Sequence, residues 1–232
     1  MNEYIKQRQL LGRARFAGPI LLHWSAERIW SGLEIAGTGS WTADMSSLYS
    51  ISKESSLYLK TADASIDDQD VESHLLIYEP PHGTVELSVP WLFPTMTGSI
   101  YWFWSLQIIH ATPDHNCLAF TLLYIWPLWW YVGTTVSGAM SWSYIDGSDE
   151  DLAPETWHKT RLRVDYNLGK YVDFSTDSQT FDLSDIDPVD IYYSSGADNR
   201  DLLVLLFSVG AYGGFGQPPT EMYFDEITFF EE

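Results

Sequence analysis

An all-β fold made of two packed antiparallel sheets is what this chain predicts, and three observations carry the prediction. Short runs rich in Val, Ile, Thr, Tyr, Phe and Trp recur along it, each bounded by Gly, Pro, Asn, Asp or Ser, with little sustained helical periodicity. The 232 residues are 45% hydrophobic and 16% aromatic, with 11 Trp, 14 Tyr and 11 Phe, far too apolar for a disordered chain. A single sheet of that length could not bury both faces, so two must pack together. The one cysteine, Cys117, excludes an internal disulfide framework and a cysteine-based structural zinc site, so packing alone holds the fold. Cys117 itself reads as a core thiol.

Taken in order, strands are expected at 56–61, 73–78, 84–90, 99–110, 116–126, 129–135, 139–145, 160–166, 170–176, 179–183, 202–211 and 222–230. The breaks between them are chemically specific. Pro80-Pro81-His82-Gly83 and Asn167-Leu168-Gly169 each place turn formers before a glycine able to take positive φ, and Asp177-Ser178 suits a two-residue hairpin. Two consecutive hairpins therefore run from Trp157 to Leu183. Neither a Pro/Gly/Ser-rich linker nor a fixed-period repeat divides the chain, so residues 16–232 read as one jelly-roll β-sandwich preceded by a basic arm at 1–15.

Charge narrows the function classes. With 12 Lys+Arg against 32 Asp+Glu, the formal charge of −20 repels phosphate backbones and anionic lipid headgroups, which excludes nucleic-acid binding by the body. Lys6, Arg8, Arg13 and Arg15 gather at the start, and no Lys or Arg occurs between Lys60 and Lys159. Such an arm reads either as a solubilising terminus or as a segment that docks on an acidic neighbour, such as another copy of the protein. The start lacks the apolar stretch of a secretory signal. The most apolar region, 99–136, is interrupted by Thr112-Pro113-Asp114-His115-Asn116, too soon to cross a bilayer.

Three segments resemble the concanavalin A-like lectin/glucanase jelly roll, found in laminin G-like and carbohydrate-binding modules. They are Gly37-Thr38-Gly39 with Ser56-Leu57-Tyr58-Leu59; Trp157-His158-Lys159-Thr160-Arg161-Leu162-Arg163-Val164-Asp165-Tyr166 with Gly169-Lys170-Tyr171-Val172; and the closing Met222-Tyr223-Phe224-Asp225-Glu226-Ile227-Thr228-Phe229. The resemblance implies a structural Ca²⁺ at Asp225, with Glu226 a weaker candidate, as the one expected cofactor. It also raises two catalytic sets. Glucanases of this fold carry alternating carboxylates on one strand, a spacing found here only at Asp68, Asp70 and Glu72, where Ile66-Asp67-Asp68-Gln69-Asp70 reads as a solvated loop. Alginate-lyase-like members place Gln and His two apart, whereas Gln107 and His110 are three apart and fall on opposite faces of a strand. The acidic turns at 146–151 and 185–187 lack a calcium-loop pattern, and the six scattered histidines give no ligand spacing.

Side-chain alternation then sorts the aromatics. Trp102, Trp104, Leu106 and Ile108 read as core, leaving Tyr101, Phe103, Ser105 and Gln107 on the other face; Phe120, Leu122 and Tyr124 turn inward and Ala119 and Thr121 outward; Trp129, Tyr131 and Thr135 oppose Trp130, Val132 and Thr134. The expected ligand platform is Tyr101, Phe103, Gln107, Trp129 and Tyr131. The reading is a non-catalytic recognition module with a glycan as its first ligand class. Its alternative is a self-assembling surface or virion component that docks through the arm, and glycoside hydrolysis is a remote third.

Overall fold

The computed structural model describes residues 20–24, 33–38, 41–51, 55–61, 69–77, 82–95, 101–111, 116–125, 129–192, 202–212 and 220–232. Seventeen strands lie among them: β1 (Ile20–Trp24), β2 (Leu33–Thr38), β3 (Trp41–Ser46), β4 (Ser56–Thr61), β5 (Gln69–Ile77), β6 (Thr84–Leu92), β7 (Tyr101–Ala111), β8 (Asn116–Ile125), β9 (Trp129–Val136), β10 (Ala139–Tyr144), β11 (His158–Asp165), β12 (Lys170–Ser175), β13 (Thr180–Asp182), β14 (Val189–Tyr192), β15 (Leu202–Tyr212), β16 (Glu221–Phe224) and β17 (Ile227–Glu231). They form two antiparallel sheets. A nine-stranded sheet runs β13-β12-β11-β6-β16-β4-β3, with β17 joining β6 and β1 joining β17; an eight-stranded sheet runs β10-β9-β8-β7-β15-β5-β2, with β14 joining β8.

The core between the sheets follows from strict alternation. Val85, Leu87, Val89 and Trp91 of β6 face Trp104, Leu106 and Ile108 of β7, Phe120, Leu122 and Tyr124 of β8, and Trp130 and Val132 of β9, all essentially inaccessible. Large rings meet at its centre. The Trp91 ring lies 4.8 Å from Trp104 and 5.7 Å from Tyr124, and Tyr124 lies 4.8 Å from Trp130. The Trp91 indole N–H donates to the Thr160 hydroxyl at 3.0 Å, so this buried polar atom is satisfied.

The hairpins expected over 157–183 form as β11-β12-β13, turning at Gly169 (φ 60°) and through the Thr176 N–H to Gln179 carbonyl bond across Asp177-Ser178. Gly83 likewise takes φ 101°. His158 anchors the first of these strands. Both its ring nitrogens face oxygen acceptors, Asp177 Oδ2 at 2.7 Å and the Ala153 carbonyl at 2.8 Å, and the ring stacks on Phe93.

Four expectations need correction. The closing strand is not continuous: it breaks into β16 and β17 at Asp225-Glu226, where Glu226 adopts φ 49°. Gln69 and Asp70 belong to β5 rather than to a loop, because pairing with β15 on one side and β2 on the other overrides the low strand propensity of Asp. Strands β1, β2, β3 and β14 were not anticipated at all. Finally, outward-facing Thr121 and Ala119 are buried, since β14 docks beside them. The basic arm at 1–15 and the side chain of Cys117 lie outside what is described.

That docking makes a fork. β8 pairs β9 over Leu122–Ile125 and β14 over Asn116–Ala119. At the crotch the Tyr171 phenol, from β12 of the opposite sheet, accepts the Thr121 N–H at 2.7 Å and donates to the Gly133 carbonyl at 2.9 Å. It replaces ladder bonds that the diverging strands cannot make to each other. Burial pushes its ionisation well above the ordinary phenol range. Gly133 is needed there because a Cβ would lie 3.0 Å from Thr121 Cβ and 3.1 Å from Val189 Cγ2.

Candidate functional site

The outer face of the eight-stranded sheet gathers most of the chemistry. Register carries one row across it from Trp129 of β9 through Ile125 and Phe103 to Gly210 and Asp70; a second from Tyr144 through Tyr131, Leu123, Ser105 and Ser208 to Glu72; and a third from Thr121 through Gln107 and Leu206 to His74 and Glu34. Four of the five expected platform residues, Phe103, Gln107, Trp129 and Tyr131, are partly exposed on this face. Tyr101 is placed by register alone, opposite Tyr212.

They do not make one continuous surface. Between them Thr121, Leu123, Ser105, Ser208 and Leu206 are buried, and the Ser105 and Ser208 hydroxyls bond each other at 2.7 Å across β7 and β15. The open part lies at the β9–β10 edge. A two-residue turn, Ser137-Gly138, with both φ positive, joins these strands and fixes their register, setting Tyr144 opposite Tyr131 and Trp142 opposite Gly133. Alternation then turns Met140, Trp142 and Tyr144 outward, with exposures of 41%, 36% and 41%. Tyr131 and Tyr144 meet edge to face at 5.8 Å.

Sequence reasoning did not single out these three side chains, although the alternation in Ala139-Met140-Ser141-Trp142-Ser143-Tyr144 was visible. The Tyr144 hydroxyl donates to Asp149 Oδ1 at 2.7 Å. That bond, first, and the negative field of Asp149 and Asp146 push its ionisation up to about 12. Asp149 sits on a loop held by the Ile145 N–H to Trp130 carbonyl bond and a turn at Gly147, so the ring and its acidic neighbour are positioned together.

Other candidates separate. Asp70 and Glu72 stand two apart on β5, on the outer face by register with Gly210 and Ser208, while Asp68 lies outside the described residues. Gln107 and His110 fall on opposite faces as expected, and His110 lies 4.9 Å from the Tyr166 ring. Asp225 is fully buried: Oδ2 accepts the Ile51 N–H at 2.8 Å and the Ser50 hydroxyl at 3.3 Å, and Oδ1 accepts the Glu226 N–H at 2.9 Å. Amide N–H groups on both oxygens make Asp225 a turn anchor. Among the described residues no three His, Cys, Asp or Glu side chains converge as metal ligands.

Comparison with known proteins places the architecture. No family model matches the chain, nor does any curated protein sequence. Solved structures do match in fold. An endo-β-1,4-glucuronan lyase from the fungus Trichoderma reesei superposes with a TM-score of 0.61 at 9% identity, over 91% of this chain and 95% of that one. A glycoside hydrolase family 16 endo-glucanase from Bacteroides ovatus gives 0.54 at 11% identity, over 91% and 100%. An alginate lyase from Chlorella virus gives 0.52 at 7% identity, over 87% and 93%. The fold is the concanavalin A-like jelly-roll sandwich that the three sequence segments resemble.

Proposed function

We propose that this protein recognises a carbohydrate at the β9–β10 end of the outer face of its eight-stranded sheet. One observation carries the reading: Trp142 and Tyr144 stand exposed in a row beside Tyr131, on a hairpin whose register is fixed and whose backbone is anchored to the core by Trp130 and Val132. Rigid aromatic faces stack on sugar rings with little loss of conformational freedom, and a few polar groups orient the ligand. Asp149 and the Tyr144 hydroxyl supply these. The neighbours in fold act on or are named for polysaccharides, which supports the same ligand class.

The test is a glycan array followed by titration calorimetry and tryptophan fluorescence on any hit. Binding is expected in the parent and lost in Trp142→Ala with Tyr144→Ala; unchanged affinity in that double variant would remove the site from consideration. A second reading, glycoside hydrolysis, is favoured by the placement of Asp70 and Glu72 inside β5, two apart on one face. Hydrolysis of a glucan that disappears in Glu72→Gln would make it the better account.

A further inference from the structure

We infer that the glycan taken by this face is uncharged, and that polymers bearing a carboxylate on each sugar are excluded. This rests on the recognition reading above and narrows it to a ligand class. Its basis is a charge distribution written into the strands. The eight strands β2, β5, β7, β8, β9, β10, β14 and β15 contain neither Lys nor Arg, yet include Glu34, Asp70, Glu72 and Asp190. The loop that leaves β10 adds Asp146, Asp149, Glu150 and Asp151, and no cation occurs from there to Trp157.

Every strand cation among the described residues is in the other sheet, at Lys60, Lys159, Arg161, Arg163 and Lys170. Four of them are committed to acids there: Lys60 to Glu221, Arg161 to Glu86, Arg163 to Asp173 and Glu232, and Lys170 to Asp187. Glucuronan and alginate, the polymers in two neighbours' names, carry a carboxylate on each ring. A site for such a chain must supply positive donors, because burying an unpaired carboxylate beside others is strongly unfavourable. None is on this sheet. An uncharged sugar needs only stacking surface and acceptors for its hydroxyls, which Trp142, Tyr144, Tyr131 and Asp149 provide.

The experiment is calorimetry on the full chain at about 0.15 M salt, where screening extends over roughly 8 Å, with three sets of oligomers. These are neutral ones (cello-, xylo- and laminari-oligosaccharides), uronates (alginate and glucuronan oligosaccharides) and a chitosan oligomer. At least one neutral oligomer is expected to bind at least tenfold tighter than either uronate. Met140→Lys, which adds a cation on the outward side of β10, is expected to raise the ratio of uronate to neutral affinity severalfold, and an unchanged ratio counts against the inference. Uronate binding equal to or tighter than every neutral oligomer overturns the inference and leaves glycan recognition standing; chitosan binding tenfold tighter than every neutral oligomer also overturns it, in favour of an amino sugar. Silence across the whole panel removes the recognition reading itself, and this inference with it.

Discussion

The two outer faces of this sandwich are built from the same alternation of side chains and end in opposite surfaces. On the nine-stranded sheet, Arg163 donates to Asp173 Oδ2 at 2.7 Å and to Glu232 Oε2 at 2.8 Å, and Arg161 lies 3.6 Å from buried Glu86, so paired charges cross β6, β11, β12 and Glu232. On the eight-stranded sheet the corresponding positions hold aromatic, small and acidic residues and no cation. On the first face four of the five strand cations are paired with acids. On the second, exposed rings and carboxylates have no cation beside them in the strands. Placement of five cations, more than the fold, separates the two faces, and the proposed glycan site lies on the one without them.

The largest effect expected is at the residue that joins the two sides. Tyr171→Phe leaves the Thr121 N–H and the Gly133 carbonyl unsatisfied inside the fork, and should lower unfolding free energy by about 2 to 3 kcal/mol, read from urea denaturation. A change under about 0.5 kcal/mol would mean that β8 and β9 do not depend on the opposite sheet. Next, Trp142→Ala should weaken glycan binding about tenfold, worth roughly 1.4 kcal/mol, with almost no change in melting temperature; a matching fall in stability would show that the ring belongs to the fold and not to a platform.

Arg163→Met should cost about 1 kcal/mol of stability without touching affinity, and the loss should shrink at high salt. Loss of binding in this variant would break the division between the faces. The smallest effect belongs to Glu86. Burial, outweighing the attraction of Arg161, raises its carboxyl above the ordinary range. A folded pKa above the unfolded one contributes stability below the unfolded value and loses it as pH rises through the folded value. Glu86→Gln should therefore match or slightly exceed the parent at neutral pH and lose that advantage near pH 4, as thermal melts at both values would show.

Much of this contrast was legible before any coordinates, and the missing parts have physical causes. Alternation alone separated Trp104, Leu106 and Ile108 from Phe103, Ser105 and Gln107, because one buried face forces a period of two. It could not tell which outward positions stay open. Ala119 is buried beside Val189 of β14, a four-residue strand behind Pro188 that pairs β8 where the β8–β9 pairing has ended. Nor could it favour Trp142 and Tyr144 over other aromatics, since they stand exposed on β10, the last strand of its sheet. Asp70 read as loop because Asp is a poor strand former, and two paired neighbours override that preference. At Glu226 a non-glycine residue takes positive φ while the buried Asp225 side chain holds the backbone from inside, and no local pattern announces it.

The pairing that closes the chain also sets a direction for any engineered attachment. The last residue, Glu232, is held by its N–H to the Thr84 carbonyl and by its carboxylate to Arg163, at the end of β17 in the nine-stranded layer. A bead or dye attached beside Glu232 is therefore tethered to the layer opposite the aromatic edge. Immobilised that way, the molecule turns Trp142 and Tyr144 toward the solution.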